Sequence, residues 1–152
     1  TTLGGAVAIG AEYEYADYGS SSLQDIEGYE LGDQPSVEAF LKGVHTFRAG
    51  VEARLTPEFS FRAGYNYASS VFNDDAYSAL SYYRTSTDFN NVKSRNTATF
   101  GIGYSGNTIY ADLAYKYDAY KSDFYAFDDI DLPAAKVDNN RHQVLFTLGA
   151  RF

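Results

Sequence analysis

The chain lacks several features that would assign it to common classes of protein. Its 152 residues contain no cysteine, which excludes a disulfide scaffold and a thiolate metal site. No apolar run approaches the ~20 residues of a membrane-spanning helix, so a chain of this kind can cross a membrane only with strands. The net charge of −8 and the lack of a basic stripe argue against a nucleic-acid partner.

Methionine is also absent, and no signal peptide can be recognised. We expect a processed or excised chain from which any export signal has been removed. What the sequence has in abundance is aromatic residues, with 15 tyrosines and 11 phenylalanines dispersed among polar residues. That mixture is typical of strands with two different faces.

The stretch 47–67, FRAGVEARLTPEFSFRAGYNY, shows the pattern most clearly. Both of its arms alternate apolar and polar residues with a period of two, which indicates β-strands. Thr56-Pro57-Glu58 lies between the arms and predicts a hairpin with a three-residue loop. Directly opposed residues share a face, so this loop length sets Glu52 opposite Arg62.

The same alternation recurs along the chain and predicts six strands, at about 3–17, 44–55, 59–68, 95–104, 108–117 and 141–152. Gly106-Asn107 predicts a two-residue turn, which pairs Tyr110 with Gly103 and Asp112 with Gly101. The remaining connections are long and polar. In the first of them, Asp33 could cap a short helix over 34–42.

The connections thus run long, short, long, short, long, which in a meander places all long loops at one end of the sheet. Aromatic residues cluster at both ends of the apolar rows, with small aliphatic residues between them. The aromatic residues at the two ends are Tyr13, Tyr15, Phe47, Tyr65, Tyr67, Tyr115 and Tyr117, and then Phe59, Tyr104 and Phe152. This arrangement predicts an all-β fold, an antiparallel transmembrane β-barrel with long extracellular loops and short periplasmic turns.

The positions that alternate with the apolar rows carry charges, which we expect to line the inner wall of the barrel. They are Glu12, Glu14, Arg48, Glu52, Arg54, Arg62, Asp112, Lys116 and Arg151. One interpretation is that these charges form a ladder in which they neutralise one another and line a water-filled lumen. The other is that they contact a solute directly. For the second, the candidate solute-binding residues are Arg48, Glu52, Arg62, Tyr110 and Asp112.

Three other motifs contain residue types that can carry chemistry. GIGYSG at 101–106 matches a nucleotide-binding pattern, but the residues after it alternate as a strand and do not open a helix. Asp128, Asp129 and Asp131 could hold a cation but lack the other features of a calcium loop. His45 and His142 leave a Ser-His-acid site open, although the sequence has no nucleophile elbow. We expect no metal, no cofactor and no enzymatic activity.

The segments AVAIGAEYEYADYGS and VHTFRAGVEARLTPEFSFRAGYNY, with the terminal Phe152, resemble the C-terminal part of FadL-type outer-membrane transporters of long-chain fatty acids. The resemblance follows the order of elements over nearly the whole chain. It implies that residues 1–152 are the last strands of one bacterial outer-membrane barrel, with further N-terminal strands and a hatch elsewhere. It also implies that Phe146, Leu148 and Phe152 form the signal read by the barrel-assembly machinery.

The resemblance further implies a passive channel for hydrophobic solutes such as long-chain fatty acids, in contact with membrane lipid and lipopolysaccharide. Two alternatives remain open. One is a small binding or anchoring barrel without transport, and the other is an outer-membrane lipid hydrolase. Because six strands leave two unpaired edges, we expect this segment not to close into a barrel by itself.

Overall fold

The computed structural model describes residues 2–3, 6–22, 24–29, 41–74, 76, 89–126 and 131–152. β-Branched and aromatic residues at alternate positions favour extended backbone throughout these segments. The chain forms seven strands there: β1 Thr2–Leu3, β2 Val7–Asp17, β3 Gly43–Arg54, β4 Phe59–Ala68, β5 Phe89–Ser105, β6 Ile109–Tyr125 and β7 Ala135–Ala150.

All seven strands belong to one antiparallel sheet whose spatial order is the order in the chain. The predicted meander of six long strands is therefore confirmed, with β1 as a two-residue addition at one edge. Within the described residues β7 pairs only with β6, so the sheet is open. Strands β3 and β4, and strands β5 and β6, join at what we call the short-turn end; the opposite end is the long-loop end.

The hairpin between β3 and β4 has the register that the sequence predicts. Glu52 lies opposite Arg62 and Val51 opposite Ala63. The loop is closed by the Leu55 amide, which donates to the Phe59 carbonyl at 2.8 Å. Thr56 stabilises the turn because its hydroxyl accepts from the Phe59 amide at 3.1 Å.

The predicted register of the second hairpin, between β5 and β6, is wrong by two residues. Asp112 lies opposite Gly103 instead of Gly101, and Tyr110 lies opposite Ser105. The Gly106 amide donates to the Ile109 carbonyl at 2.9 Å, so the two-residue loop lies one residue later than expected. A primed turn centred on Gly106 would need a positive φ there, and among the described glycines only Gly28 has one. The error changes no face, because a shift of two preserves the alternation.

Strands β5, β6 and β7 are longer than predicted. The expected connection over 118–140 is largely wrong, since β6 continues to Tyr125 and β7 begins at Ala135. β5 begins at Phe89 and contains an irregularity between Val92 and Arg95. In these extensions both faces carry polar residues, so the hydrophobic signal of period two disappears although the backbone ladder continues.

Two further expectations need correction near the first long connection. The predicted strand 3–17 is interrupted, because Leu3 folds back to pair with Val7. The predicted helix over 34–42 lies mostly outside the described residues, but its end is not helical. Leu41 forms an isolated bridge with Phe72, and β3 begins directly afterwards.

The register sorts the side chains of β2–β7 onto two faces of opposite character. A representative row of the apolar face holds Ile9, Val51, Ala63, Phe100, Tyr115 and Val144. A representative row of the polar face holds Glu12, Arg48, Asn66, Thr97, Asp118 and Arg141. In the described part of the chain Ala76 is the only buried apolar side chain, so these two faces enclose no apolar core.

We predict that Gly149→Ala destabilises the sheet by about 1 to 2 kcal/mol. A Cβ at Gly149 would overlap the ring of Tyr110, the residue directly opposite on β6. Gly10→Ala is the matched control, because a Cβ there meets nothing within 4 Å. Denaturant unfolding of the two variants measures the difference, and equal stabilities would contradict the close packing of Tyr110 on Gly149.

Candidate functional site

The five residues predicted to contact a solute all lie on the polar face of the sheet. Arg48 and Glu52 come from β3, Arg62 from β4, and Tyr110 and Asp112 from β6. Their common orientation follows from the register, which pairs positions of the same face across four successive strands. The structure thus brings them together on one wall.

Arg62 connects three strands through two ion pairs. Its Nε donates to Glu52 Oε2 at 2.8 Å, as the hairpin register predicts, and its Nη1 donates to Asp112 Oδ1 at 3.2 Å. The second contact spans β5, where Gly103 leaves room for it. A Cβ at Gly103 would lie 2.6 Å from Asp112 Oδ1. Both pairs are partly exposed, so water screens them and each contributes little to stability.

Arg48 forms a second cluster nearer the long-loop end. Its Nη1 donates to Glu12 Oε1 at 2.7 Å and to Glu14 Oε2 at 2.8 Å. Glu12 lies directly opposite Arg48, and Glu14 is the next residue of the same face. Arg48 and Arg62 each therefore balance two carboxylates, which favours the compensating-ladder interpretation for these two residues.

A third cluster of polar side chains surrounds Asp118, and the sequence does not predict it. Asp118 is only 3% exposed and accepts hydrogen bonds from Arg95 Nε at 2.9 Å and from the Thr97 hydroxyl at 2.8 Å. Arg95 Nη2 completes a bidentate contact with Asp118 Oδ2 at 2.6 Å, and the Arg95 guanidinium lies over the ring of Tyr120. The sequence predicts a loop at Asp118, because the apolar alternation ends at Tyr117.

Tyr110 lies at the short-turn end of the polar face. Its ring covers Gly149 on β7, and the Arg151 guanidinium lies 5.6 Å from the ring centroid. Arg151 also donates to the Ser105 hydroxyl at 3.2 Å. The glycine beside Tyr110 is thus Gly149 on β7 and not Gly103, the partner that the sequence predicts.

Both histidines lie on the apolar face in nearly identical clusters. Tyr13 Oη lies 2.8 Å from His45 Nδ1, and Tyr115 Oη lies 2.7 Å from His142 Nδ1. Each imidazole also packs against the tyrosine two residues further along, with ring centroids 4.9 Å apart. The described contacts of both rings are therefore with tyrosines, and the serine contact of His45 runs from its backbone amide to Ser69.

The apolar face is exposed over its whole width. Ile9, Phe100 and Leu113 are each about half exposed, and Phe146 and Leu148 are two-thirds exposed. The resemblance assigns the assembly signal to Phe146, Leu148 and the fully exposed Phe152. An apolar surface of this extent on one face is covered in a native protein by lipid or by another protein surface.

At the long-loop end, the edge of this apolar face runs obliquely across the strands. Tyr15 lies in the row of His45, whereas Tyr117 lies in a row that ends at Ala11 on β2. Ala11 is four residues from Tyr15. The edge therefore descends by about 13 Å over four strand spacings of ~4.8 Å, which is a slope of roughly 35°.

The edge at the short-turn end slopes in the same direction. Leu55, Phe59 and Tyr104 lie in one row that continues to Leu148 on β7. The apolar alternation of β7 continues four residues further, to Phe152. The apolar face is thus a slanted band, and a band perpendicular to the axis of a barrel takes this form when the strands are tilted.

The other motifs give no metal or nucleotide geometry in the described residues. No group of three potential metal-ligating side chains is present among them, and Asp128 and Asp129 lie outside them. Gly101 and Gly103 lie within β5, so the GIGYSG motif does not open a helix. Among the described residues, no helix is long and apolar enough to cross a membrane.

The site and fold together define an antiparallel β-meander with one charged face and one exposed apolar face. Among known proteins, no family model, no curated protein and no solved structure matches the chain.

We predict that Gly103→Ala abolishes the coupling between Arg62 and Asp112. A double-mutant cycle with Arg62→Gln and Asp112→Asn should give about 1 kcal/mol or less in the wild-type background and zero in the Gly103→Ala background. Gly101→Ala is the control, because a Cβ there meets no atom nearer than 3.6 Å. Coupling that survives Gly103→Ala unchanged would refute the role of the glycine.

Proposed function

We propose that this chain is part of a transmembrane β-barrel of the bacterial outer membrane, a passive channel for hydrophobic solutes such as long-chain fatty acids. The observation that carries the proposal is the slanted apolar band, exposed on one face and opposed by a face of charged residues. Lipid can cover such a band without burying polar groups, and water can solvate the charged face.

The open edges of the sheet support the same proposal. Unpaired backbone groups are costly in a bilayer, so a membrane sheet must close with further strands. These would be the N-terminal strands that the resemblance to FadL-type transporters implies, together with a hatch inside the barrel. The barrel-assembly machinery would insert the complete protein.

Strand extension beyond the aromatic residues also fits this location. Past Ala119, the outward positions of β6 and β7 are mostly polar and include the ion pair of Lys121 with Asp138 at 3.5 Å. Strands that leave the bilayer no longer need an apolar outward face, which agrees with this pattern. This part would meet lipopolysaccharide headgroups on the outer surface. The solute class itself rests on the resemblance.

We predict that Leu148→Arg destabilises the folded protein in lipid by about 2 to 4 kcal/mol, because in the proposed barrel Leu148 would lie within the hydrocarbon. Thr147→Arg, one residue away on the polar face, should cost far less. Urea unfolding in lipid vesicles measures both. Equal losses, or a wild-type protein that is soluble and monomeric without detergent, would point instead to a soluble sandwich with the apolar face as its core.

Deletion of Phe152 should slow membrane assembly while changing the stability of the folded protein little. Its side chain is fully exposed at the end of the chain, so its removal leaves no cavity. Phe152→Tyr, which keeps an aromatic terminus, is the control. The measurement is the rate at which protease-resistant protein accumulates in the outer membrane of cells. An unchanged rate and location would contradict the assembly role.

A further inference from the structure

The outward face of β5–β7 changes character just beyond the apolar band. One row across these three strands holds Asn96, Ala119 and Asn140. Tyr65 Oη donates to Asn96 Oδ1 at 2.5 Å, and Tyr117 Oη donates to Asn140 Oδ1 at 2.7 Å. Because each tyrosine hydroxyl occupies an amide oxygen, the amide N–H groups of both asparagines remain as donors.

A β-bulge brings additional polar side chains to the next row. The ladder between β5 and β6 is irregular after Val92, and there Lys93 and Ser94 together oppose the single residue Lys121. All three side chains line the same cleft. A bulge of this kind changes the direction of a side chain, and bulges are common beside functional sites. The irregularity thus gives this place one more polar side chain than a regular ladder would.

The two rows border an open cleft of about 480 Å³. Ala119 lies in the middle of the row of asparagines, so its small side chain leaves space between them. The polar lining of the cleft includes Lys93, Ser94, Asn96, Lys121, Asp138 and Asn140. A volume of this size is within the range of small-molecule sites.

The charged groups at the cleft are paired, but their hydrogen-bonding capacity is not used up. Lys93 Nζ lies 3.1 Å from Asp123 Oδ2, and Lys121 Nζ lies 3.5 Å from Asp138 Oδ1. An ammonium group has three N–H donors, so each lysine can donate to a further acceptor. The side chains of Lys121 and Asp138 are 80% and 66% exposed, so a ligand can reach both. The cleft therefore offers several N–H donors together with a carboxylate acceptor.

The position of the cleft in the proposed barrel decides what can occupy it. The row of asparagines lies two residues beyond Tyr117, where the apolar band ends. Two residues advance about 7 Å along a strand, which is roughly 5 Å along the membrane normal at a tilt of about 40°. Headgroups form a layer of roughly 5 to 7 Å on each side of the hydrocarbon, so the cleft faces this layer.

We propose that this cleft binds the phosphorylated sugar headgroup of an outer-leaflet glycolipid. Phosphate oxygens accept from Lys93, Lys121 and the asparagine amides, and a sugar hydroxyl donates to Asp138. A headgroup with both phosphates and hydroxyls therefore matches the mixed lining, whereas a phospholipid without hydroxyls gives Asp138 no donor. The proposal rests on the proposed function, because only a membrane location brings lipid to this face.

The test uses the full protein in phosphatidylcholine nanodiscs that contain a minor fraction of diphosphorylated lipid A. Native mass spectrometry counts the lipid A molecules that remain bound after transfer into detergent. Asn140→Asp should lower retention about threefold to tenfold, because it keeps an acceptor for Tyr117 but replaces N–H donors by a carboxylate oxygen. Lys121→Gln should have a similar effect. Lys136→Gln removes a cation of β7 that lies opposite Asp123 and does not line the cleft, so retention should not change.

A steric variant tests the shape of the cleft independently of its charge. Ala119→Phe fills the space between the two asparagines and should abolish retention of lipid A. Ala111→Phe is the matched control, because Ala111 lies on the outward face of the same strand, opposite Leu148 in the apolar band. Phosphatidylglycerol, an anionic lipid without a sugar, is the second probe, and the wild-type protein should retain it less than lipid A.

The outcomes separate this site from the proposed function. Loss of lipid A in Asn140→Asp, Lys121→Gln and Ala119→Phe, with Lys136→Gln and Ala111→Phe unchanged, supports the site. Wild-type retention in the three cleft variants, equal losses in the two controls, or equal retention of phosphatidylglycerol refutes the site and leaves the channel proposal standing. If the wild-type protein does not enter nanodiscs at all, the proposed function fails and this site fails with it.

Discussion

The continuous antiparallel ladder from β2 to β7 is the constraint on which the rest of the structure depends. Its hydrogen bonds fix the register of each pair, and a slip by one residue would move every charge onto the apolar face. All other features follow from this registration, including the slanted apolar band, the Arg62 contacts across β5 and the row of Asn96, Ala119 and Asn140.

This sheet is stabilised without an apolar core in its described residues. The ladder satisfies the backbone, and the cross-strand ion pairs of Arg48 and Arg62 are individually weak because water reaches them. The buried polar groups concentrate at the long-loop end, where Asn91, Asp118 and Ser122 are almost fully covered. The largest further contribution to stability therefore comes from removing the apolar face from water, which lipid would do in the proposed location.

Glycines determine where side chains of the polar face can reach. Gly103 allows Asp112 to approach Arg62, and Gly149 accepts the ring of Tyr110. Gly101 lies in one row with Ala114 and Leu145. Small residues thus allow contacts across three strands and shape the surface of the polar face.

The sequence alone determined the two faces, because alternation is a local property that each strand carries independently of its neighbours. It also determined the β3–β4 register, since Thr56-Pro57-Glu58 permits one loop length. The tertiary structure decided the β5–β6 register, because two turn positions preserve the same faces and differ only in backbone geometry. It alone revealed the strands beyond Tyr117 and the Asp118 cluster. Outside the apolar band the apolar alternation is lost, so pairing with a neighbour, and not a hydrophobic pattern, holds the strand there.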